Sequence, residues 1–379
     1  MKKIAYCLIG LSLAAFPVAA QTVISANDGK QILVDGVQTV PDHPAPDNIS
    51  ILKFSKGTAH VVQTLNLPTS VIGPPASVAI TPDGQYAIVS AARRIAADPK
   101  QIEPDDKVTV VSLTGKKAKI VQHIQAGAGA SGIAISPDGR TVLIANRAEG
   151  TVSVFSLAKG RLTAVDKIDL DNPQSAPAMP IFYAKGKRAL LTRDGDNLIS
   201  ILAVDNGKVT ILPESLSPGL RPYEISIAGD QHYAVTACIG GGGKTVDSLK
   251  LIDLTGETPK VVDSEEAGLT PEGVRMSPDG HYVAITVNNG SNAAPTDANY
   301  HKDGRLQVWR ITDGKLKLAA EAPMGGWGQG VAWRADSRAL LVQSMRDRKL
   351  QPFTFDGKTL HHGKDIAMPA GPAGIVAGR

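Results

Sequence analysis

The sequence predicts an all-β fold, a seven-bladed β-propeller made of four-stranded antiparallel blades. Three observations support this fold: a turn that recurs along the chain, apolar segments of strand length around each turn, and chain ends that complement each other. The turn reads Thr-Pro-Asp-Gly at 81–84 and Ser-Pro-Asp-Gly at 136–139 and 277–280; degraded copies stand at 184–187, 228–231 and 334–337. Successive copies start 55, 48, 44, 49 and 57 residues apart. That spacing suits one blade of four short strands per repeat.

Residues 132–170 show how one blade is laid out. Gly132–Ile135 is the short innermost strand, and Ser136–Gly139 is a tight turn in which proline fixes φ and glycine accepts positive φ. The segments TVLIAN and TVSVFSL are typical of the second and third strands, and LTAVDKIDL, which is more polar, suits an outer edge.

The same pattern recurs along the chain, and the ends supply one further blade. Innermost strands are predicted near 77–80, 132–135, 180–183, 224–227, 273–276 and 330–333. The segment 371–378 resembles a seventh innermost strand, while 22–32, 48–54 and 59–67 resemble a second, third and fourth strand. We therefore expect the C-terminal strand to close a blade begun at the N-terminus, with residues 21–379 forming one domain. Closure of this kind removes exposed sheet edges.

The first twenty residues, MKKIAYCLIGLSLAAFPVAA, have the charge, length and small-residue ending of a bacterial signal peptide. Cleavage is predicted after Ala20, so we expect a periplasmic or secreted protein with no membrane span after cleavage, and a monomer. The mature chain keeps only Cys238, which excludes an internal disulfide and a cysteine-based metal site. The net charge of +4 is too small to indicate a nucleic-acid partner.

Candidate functional residues lie where the chain enters the innermost strands, at one mouth of the predicted channel. They are Arg221, Tyr223, Glu224, Glu272, Trp327 and Gln329. The second-to-third-strand loops should project from the same face, and four of them, at 27–47, 93–106, 240–248 and 288–304, are long. Because scaffold-borne loops often carry function, we expect them to form a binding rim that also includes Arg147 and His301.

A carboxylate-and-amide metal site is also conceivable at this mouth. Glu272, Asn146 and Asn288 would supply the oxygen ligands that calcium prefers. The competing interpretation is that asparagine occurs at these turns for its tolerance of positive φ alone. The cofactor therefore stays unknown at this point, with a divalent cation such as calcium as the candidate.

The segment TVLIANRAEGTVSVFSL, residues 141–157, resembles the YVTN-type repeat of lactonase-like seven-bladed propellers. The resemblance covers nearly the whole mature chain. Propellers of this type include the phosphogluconolactonase and carboxymuconate-cyclase group of lactonase-like enzymes and many exported proteins with no assigned activity. That group has a Gly-Pro-Arg-His motif before an innermost strand. Here the corresponding residues are Arg-Pro-Tyr-Glu at 221–224, so the histidine is missing and Glu272 or Glu224 would have to act as the base.

Two functions remain open at this stage. In the first, the protein hydrolyses or isomerises a small lactone or ester at the channel mouth, with Glu272 as general base or metal ligand and Arg221 holding an anionic group. In the second, it is a non-catalytic binding or scaffolding protein whose loop-rich face takes a small molecule or an exported protein partner. A pair between Arg221 and Glu224 would favour the second. A quinone cofactor is a poorer third option, because the sequence lacks the tryptophan docking motifs of quinoprotein propellers.

Overall fold

The computed structural model describes residues 20–55, 57–241 and 246–378 and confirms the seven-bladed propeller. Seven antiparallel sheets surround a central channel, and two short two-stranded sheets are added to them. We number the blades 1 to 7 from the N-terminus. Apart from Ala20, the predicted signal peptide lies outside the described residues. The described part of the chain contains no helix that could cross a membrane.

The strands of each blade run outward from the channel in chain order, except in blade 1. The innermost strands of blades 1 to 7 are Gly371–Ala377, Val78–Ile80, Ala130–Ile135, Pro177–Tyr183, Pro222–Ile227, Pro271–Met276 and Gly328–Trp333. The second strands are Gln21–Asp28, Tyr86–Ser90, Thr141–Asn146, Arg188–Arg193, Tyr233–Cys238, Tyr282–Val287 and Ala339–Ser344.

The two outer strands complete each sheet. The third strands are Asn48–Ser55, Lys107–Ser112, Thr151–Ala158, Leu198–Asp205, Asp247–Asp253, Gly304–Thr312 and Lys349–Phe355. The outermost strands are Thr58–Asn66, Lys119–Gln125, Arg161–Asp169, Lys208–Leu216, Lys260–Gly268, Lys315–Met324 and Leu360–His362. In blade 7, Ile366–Ala367 also pairs with the third strand. One 3₁₀ turn, Ala184–Gly186, replaces the Ser-Pro-Asp-Gly turn of blade 4.

Blade 1 is closed by the two ends of the chain, as the sequence predicts. Its innermost strand, Gly371–Ala377, pairs antiparallel with Gln21–Asp28, and Ser25 lies opposite Ile375. Across the joint to blade 7, the Gln343 side chain donates to the Ser25 hydroxyl and to the Gly374 carbonyl, both at 2.9 Å. The two ends of the chain therefore close the ring of blades within one sheet.

The hydrophobic core lies between neighbouring blades and leaves the outer strands half exposed. Between blades 2 and 3, for example, Ile88, Val110, Ile144 and Phe155 pack in one buried cluster. The outermost strand Thr58–Asn66 alternates strictly between exposed and partly buried residues. This is the two-residue period expected of a sheet with only one covered face.

Two of the long loops differ from the prediction because each contains a short hairpin. Ile32–Val34 pairs with Val37–Thr39 in the first, and Arg93–Ile95 pairs with Ile102–Pro104 in the second. The first hairpin turns at Asp35 and Gly36, with φ of 46° and 76°. Asp-Gly between apolar residues is a strong hairpin signal, so this hairpin could have been found in the sequence.

The innermost strands pass each other so closely that two positions require glycine. A Cβ at Gly132 would lie 2.2 Å from the Ala178 carbonyl oxygen of the next blade, and one at Gly273 would lie 2.3 Å from that of Gln329. No side chain fits in this space without moving backbone. These glycines allow the blades to approach along the channel wall.

We predict that Gly132→Ala lowers the free energy of unfolding by about 1–3 kcal/mol, because the added methyl group forces two innermost strands apart. Denaturant unfolding followed by circular dichroism measures this. The control is Gly256→Ala, at an exposed turn where the nearest atom to a new Cβ is 3.4 Å away. Equal stability of the two variants would contradict the close approach.

Candidate functional site

The channel end where the innermost strands begin has a repeated backbone geometry. In blades 3 to 7, the residue just before the innermost strand has positive φ; these residues are Gly129 (78°), Ala176 (46°), Arg221 (55°), Thr270 (53°) and Trp327 (50°). The carbonyl of each accepts a hydrogen bond from the first residue after the second strand; these donors are Arg147, Asp194, Ile239, Asn288 and Met345. Four of the five strained residues are not glycine, and such strain is concentrated at functional sites.

A bulge follows directly in the same five blades. Pairing with the second strand skips from the first residue of the innermost strand to the fourth, as between Pro271 and Val274 in blade 6. Bulges re-aim side chains and are common beside active sites. The residues at the second position are Ser131, Ala178, Tyr223, Glu272 and Gln329. Three predicted site residues, Tyr223, Glu272 and Gln329, thus occupy equivalent positions in consecutive blades.

Glu272 is a half-buried carboxyl group next to the side-chain amides of Asn288 and Gln329. Its Oε2 accepts a hydrogen bond of 2.8 Å from Asn288 Nδ2. Burial raises the pKa of Glu272 to about 7, against the opposing effect of the amides of Asn288 and Gln329; the buried charge of Glu224 adds to the rise. A carboxyl group with this pKa can take up and release a proton near neutral pH.

Two side-chain carbonyl oxygens next to Glu272 lack donors. Asn288 Oδ1 and Gln329 Oε1 are buried, and neither has a hydrogen-bond partner among the described residues. Buried acceptors of this kind are uncommon, since each unpaired group costs about 1–3 kcal/mol. A bound molecule with hydroxyl groups could donate to both.

Two arginines converge on one buried carboxylate beside this group. Asp194 Oδ1 accepts from Arg221 Nε at 2.7 Å, and Asp194 Oδ2 pairs with Arg147. Burial favours the neutral acid, but the two guanidinium groups outweigh it and hold the pKa of Asp194 below its usual range. The Arg221 side chain is 41% exposed, and its Nη1 has no partner among the described residues. The cluster carries one net positive charge.

Tyr223 lies near both Glu272 and the Arg147–Asp194–Arg221 cluster. Its ring is buried against Ala178 and Ile239, and the Arg147 guanidinium lies 5.4 Å from the ring centroid. Burial raises the pKa of the phenol, so the hydroxyl stays protonated. The hydroxyl has no hydrogen bond to another described residue, and it is therefore available as a donor.

Glu224 lies on the other side of its strand and joins blades 5 and 6. One oxygen accepts from the Val274 amide at 2.6 Å and the other from Arg275 Nη2 at 2.8 Å. Burial raises its pKa. The Arg221–Glu224 pair that would have favoured a scaffold is not formed, because Arg221 bonds Asp194 and Glu224 bonds Arg275.

Trp327, another predicted site residue, belongs to a roof over part of the mouth. It packs with Val71 and Met345 in a buried cluster that Leu33 of the first hairpin also contacts. Gly36 at the hairpin tip reaches blade 6, where a Cβ would lie 2.6 Å from the Ala294 nitrogen. The loop that carries this hairpin is also held by the Lys30 ammonium, which bonds Asp47 at 2.8 Å and lies 3.3 Å from Asp28. This network was not predicted from the sequence.

The remaining predicted residues lie apart. His301 is exposed on the rim of blade 6, its Nδ1 3.0 Å from the Asn299 carbonyl. The Asn146 amide donates to Thr151 and Ser153, and its oxygen accepts from the Gly127 amide. Of the predicted calcium ligands, the structure thus joins Glu272 and Asn288 but not Asn146. Among the described residues, no three His, Cys, Asp or Glu side chains cluster as metal ligands.

Residues 106–175, in blades 2 and 3, match the family model described as "Lactonase, 7-bladed beta-propeller". No curated protein sequence matches the chain significantly. The fold resembles a putative 6-phosphogluconolactonase from Bacteroides uniformis, with a TM-score of 0.74, 16% identity, and 95% of this chain and 99% of that chain covered. It also resembles a periplasmic gluconolactonase from Pseudomonas aeruginosa, with a TM-score of 0.69, 13% identity, and coverages of 95% and 99%. The predicted resemblance to lactonase-like propellers is confirmed.

We predict that Asp194→Asn lowers the free energy of unfolding by about 2 kcal/mol at pH 7, because two guanidinium groups lose their shared charge partner. The pKa of Asp194 is lower in the folded state, so its contribution is complete at neutral pH and is lost as the pH falls below about 4.

Urea unfolding at pH 7 and at pH 3 measures the difference. The matched control is Asp166→Asn, an exposed carboxylate on the outermost strand of blade 3, which should be nearly neutral at both pH values. A cost for Asp194→Asn that stays constant with pH would rule out the charge-based account.

Proposed function

We propose that the protein is an exported lactonase-like hydrolase that opens a small lactone at the channel mouth, with Glu272 as its general base. The observation that carries the proposal is the half-buried Glu272 carboxylate with a pKa of about 7, held by an amide beside a cluster with net positive charge. A base is most effective when its pKa lies near the working pH.

The proposed reaction is the addition of water to the lactone carbonyl. Glu272 takes one proton from a water molecule while the water oxygen bonds the carbonyl carbon. The carbonyl oxygen becomes an oxyanion, to which the protonated Tyr223 hydroxyl donates. The tetrahedral intermediate then collapses, the ring C–O bond breaks, and Glu272 returns the proton to the departing alkoxide. The product is a hydroxy acid, and the enzyme is unchanged.

The same geometry supports a preference for a polyhydroxylated or anionic lactone. The exposed Arg221 can present Nη1 to a carboxylate or phosphate on the substrate, because its Nε is already fixed by Asp194. The unpaired Asn288 Oδ1 and Gln329 Oε1 can accept from substrate hydroxyl groups. We propose Arg147 as a positioning residue, since it holds Asp194 and covers Tyr223. Glu224, with both oxygens engaged, has a structural role in this proposal.

Export is supported by the sequence of residues 1–20, with its two lysines, apolar segment and small-residue ending. The similar Pseudomonas aeruginosa structure carries the name of a periplasmic gluconolactonase, which agrees with this location.

A non-catalytic binding function is the second candidate. It is favoured by the roof of Leu33, Val71 and Trp327 over one side of the mouth. It is also favoured by the Arg147–Asp194–Arg221 cluster, whose net positive charge suits the carboxylate of an acid ligand. In that case the same residues would hold a sugar acid without turning it over.

We predict that Glu272→Gln reduces kcat for lactone hydrolysis by about 10²–10⁴-fold, because the amide cannot take a proton from water. In the wild type, kcat/KM should decrease as the pH is lowered through about 7, because Glu272 becomes protonated there. The assay uses the purified chain from Gln21 with a panel of aldonic-acid lactones and simple γ- and δ-lactones.

Glu266→Gln, on the exposed outermost strand of blade 5, is the matched control and should keep full activity. Wild-type turnover no faster than buffer with every lactone, together with tight binding of the corresponding acid, would favour the binding function. Full activity of Glu272→Gln would refute the assignment of the base.

A further inference from the structure

We propose that the opposite end of the channel is a second binding site, which takes the hydrocarbon chain of an aliphatic monocarboxylate and binds its carboxylate at Arg275. This end is formed by the last residues of the innermost strands and by the turns that follow them. The proposal does not depend on the hydrolase function, because Glu272, Arg221 and Tyr223 take no part in it.

Two adjoining cavities open at this end of the channel. One has a volume of about 280 Å³ and extends along the strands to Ala76 and Met179. The other, of about 480 Å³, reaches Trp333. They share part of their wall, including Ile227, Arg275 and Val376. Sites for small ligands have volumes of this order.

Most side chains that line these cavities are apolar, and polar backbone and side-chain groups share the walls with them. Side chains with partial exposure toward the channel are Ile80, Ile135, Ile181, Ile227 and Val376. In a closed core such residues would be fully covered. Apolar residues from five different blades that converge on one space form a site for a hydrocarbon chain rather than for a sugar.

Among the residues that the structure describes, Arg275 is the only one with a charged side chain in the lining of either cavity. Its Nη2 donates to Glu224 Oε1 at 2.8 Å, and the Arg275 side chain is 24% exposed. The Arg275 carbonyl is fixed in turn by the Trp333 indole N–H at 2.9 Å.

The Arg275 guanidinium therefore has a fixed position and unused donors. Its Nε and Nη1 have no partner among the described residues, and Glu224, which is buried behind it, cannot rotate into the cavity without losing the Val274 amide. A cation with free N–H groups at the wall of an apolar cavity complements a carboxylate that carries an alkyl chain. A fully apolar molecule would leave those N–H groups unpaired, at a cost.

Isothermal titration calorimetry of the chain from Gln21 with hexanoate, octanoate and decanoate tests the proposal. Binding should be one to one and should strengthen about fourfold for each added methylene until the cavities are filled. Arg275→Met should weaken octanoate binding tenfold or more and leave 1-octanol binding nearly unchanged. Ile227→Trp, which fills the shared wall, should remove binding of both. Arg305→Met, on the outer surface of blade 6, is the matched control.

Arg275→Met leaves the buried Glu224 without its cation, so the double variant Arg275→Met/Glu224→Gln replaces it should the single variant fail to fold. The proposal is overturned by the absence of octanoate and decanoate binding at millimolar concentration. It is equally overturned when the folded Arg275 variant binds octanoate as tightly as the wild type, or when Ile227→Trp leaves the affinity unchanged.

Discussion

The candidate site depends on one backbone constraint, the left-handed residue that precedes the innermost strand in blades 3 to 7. Each such residue costs about 1–2 kcal/mol when it is not glycine. Its carbonyl accepts a hydrogen bond from the backbone N–H of the first residue after the second strand. In blade 6, the Asn288 backbone N–H donates to the Thr270 carbonyl at 3.0 Å. This bond fixes the chain reversal, and the bulge behind it leaves the Glu272 carboxyl within reach of the Asn288 side-chain amide. Repetition in neighbouring blades brings Tyr223 and Gln329 to the same level.

The fold could be predicted from the sequence because its repeated unit has a local cause. Turns such as Ser136–Gly139 depend on proline and glycine at fixed offsets, and the apolar segments around them have strand length. The strands begin earlier than expected, at Pro177 rather than 180 and at Pro271 rather than 273. The residues that the prediction left out of these strands lie in the bulges. A bulge interrupts the two-residue alternation of apolar and polar residues by which a strand is recognised in a sequence.

The site was only partly predictable. Tyr223, Glu272 and Gln329 stand out because polar residues precede apolar strands at equivalent places. Asp194 was missed, since it lies in the turn Asp194–Asn197, where aspartate and asparagine are ordinary. Its role depends on Arg147 and Arg221, which are 47 and 27 positions away. Glu224 next to Tyr223 faces the neighbouring blade, because the alternation of the strand separates adjacent residues.

The two ends of the channel differ in chemistry, with charge and amide groups at one and apolar walls around Arg275 at the other. At the first end, burial raises the pKa of Glu272 toward neutrality, which suits a carboxyl group proposed to transfer a proton. The most direct test is carbon-13 NMR titration of the glutamate side-chain carboxyl groups, with Glu272→Gln to assign the resonance. We expect a pKa of about 7 for Glu272. Titration near 4.3, the ordinary value for glutamate, would contradict it.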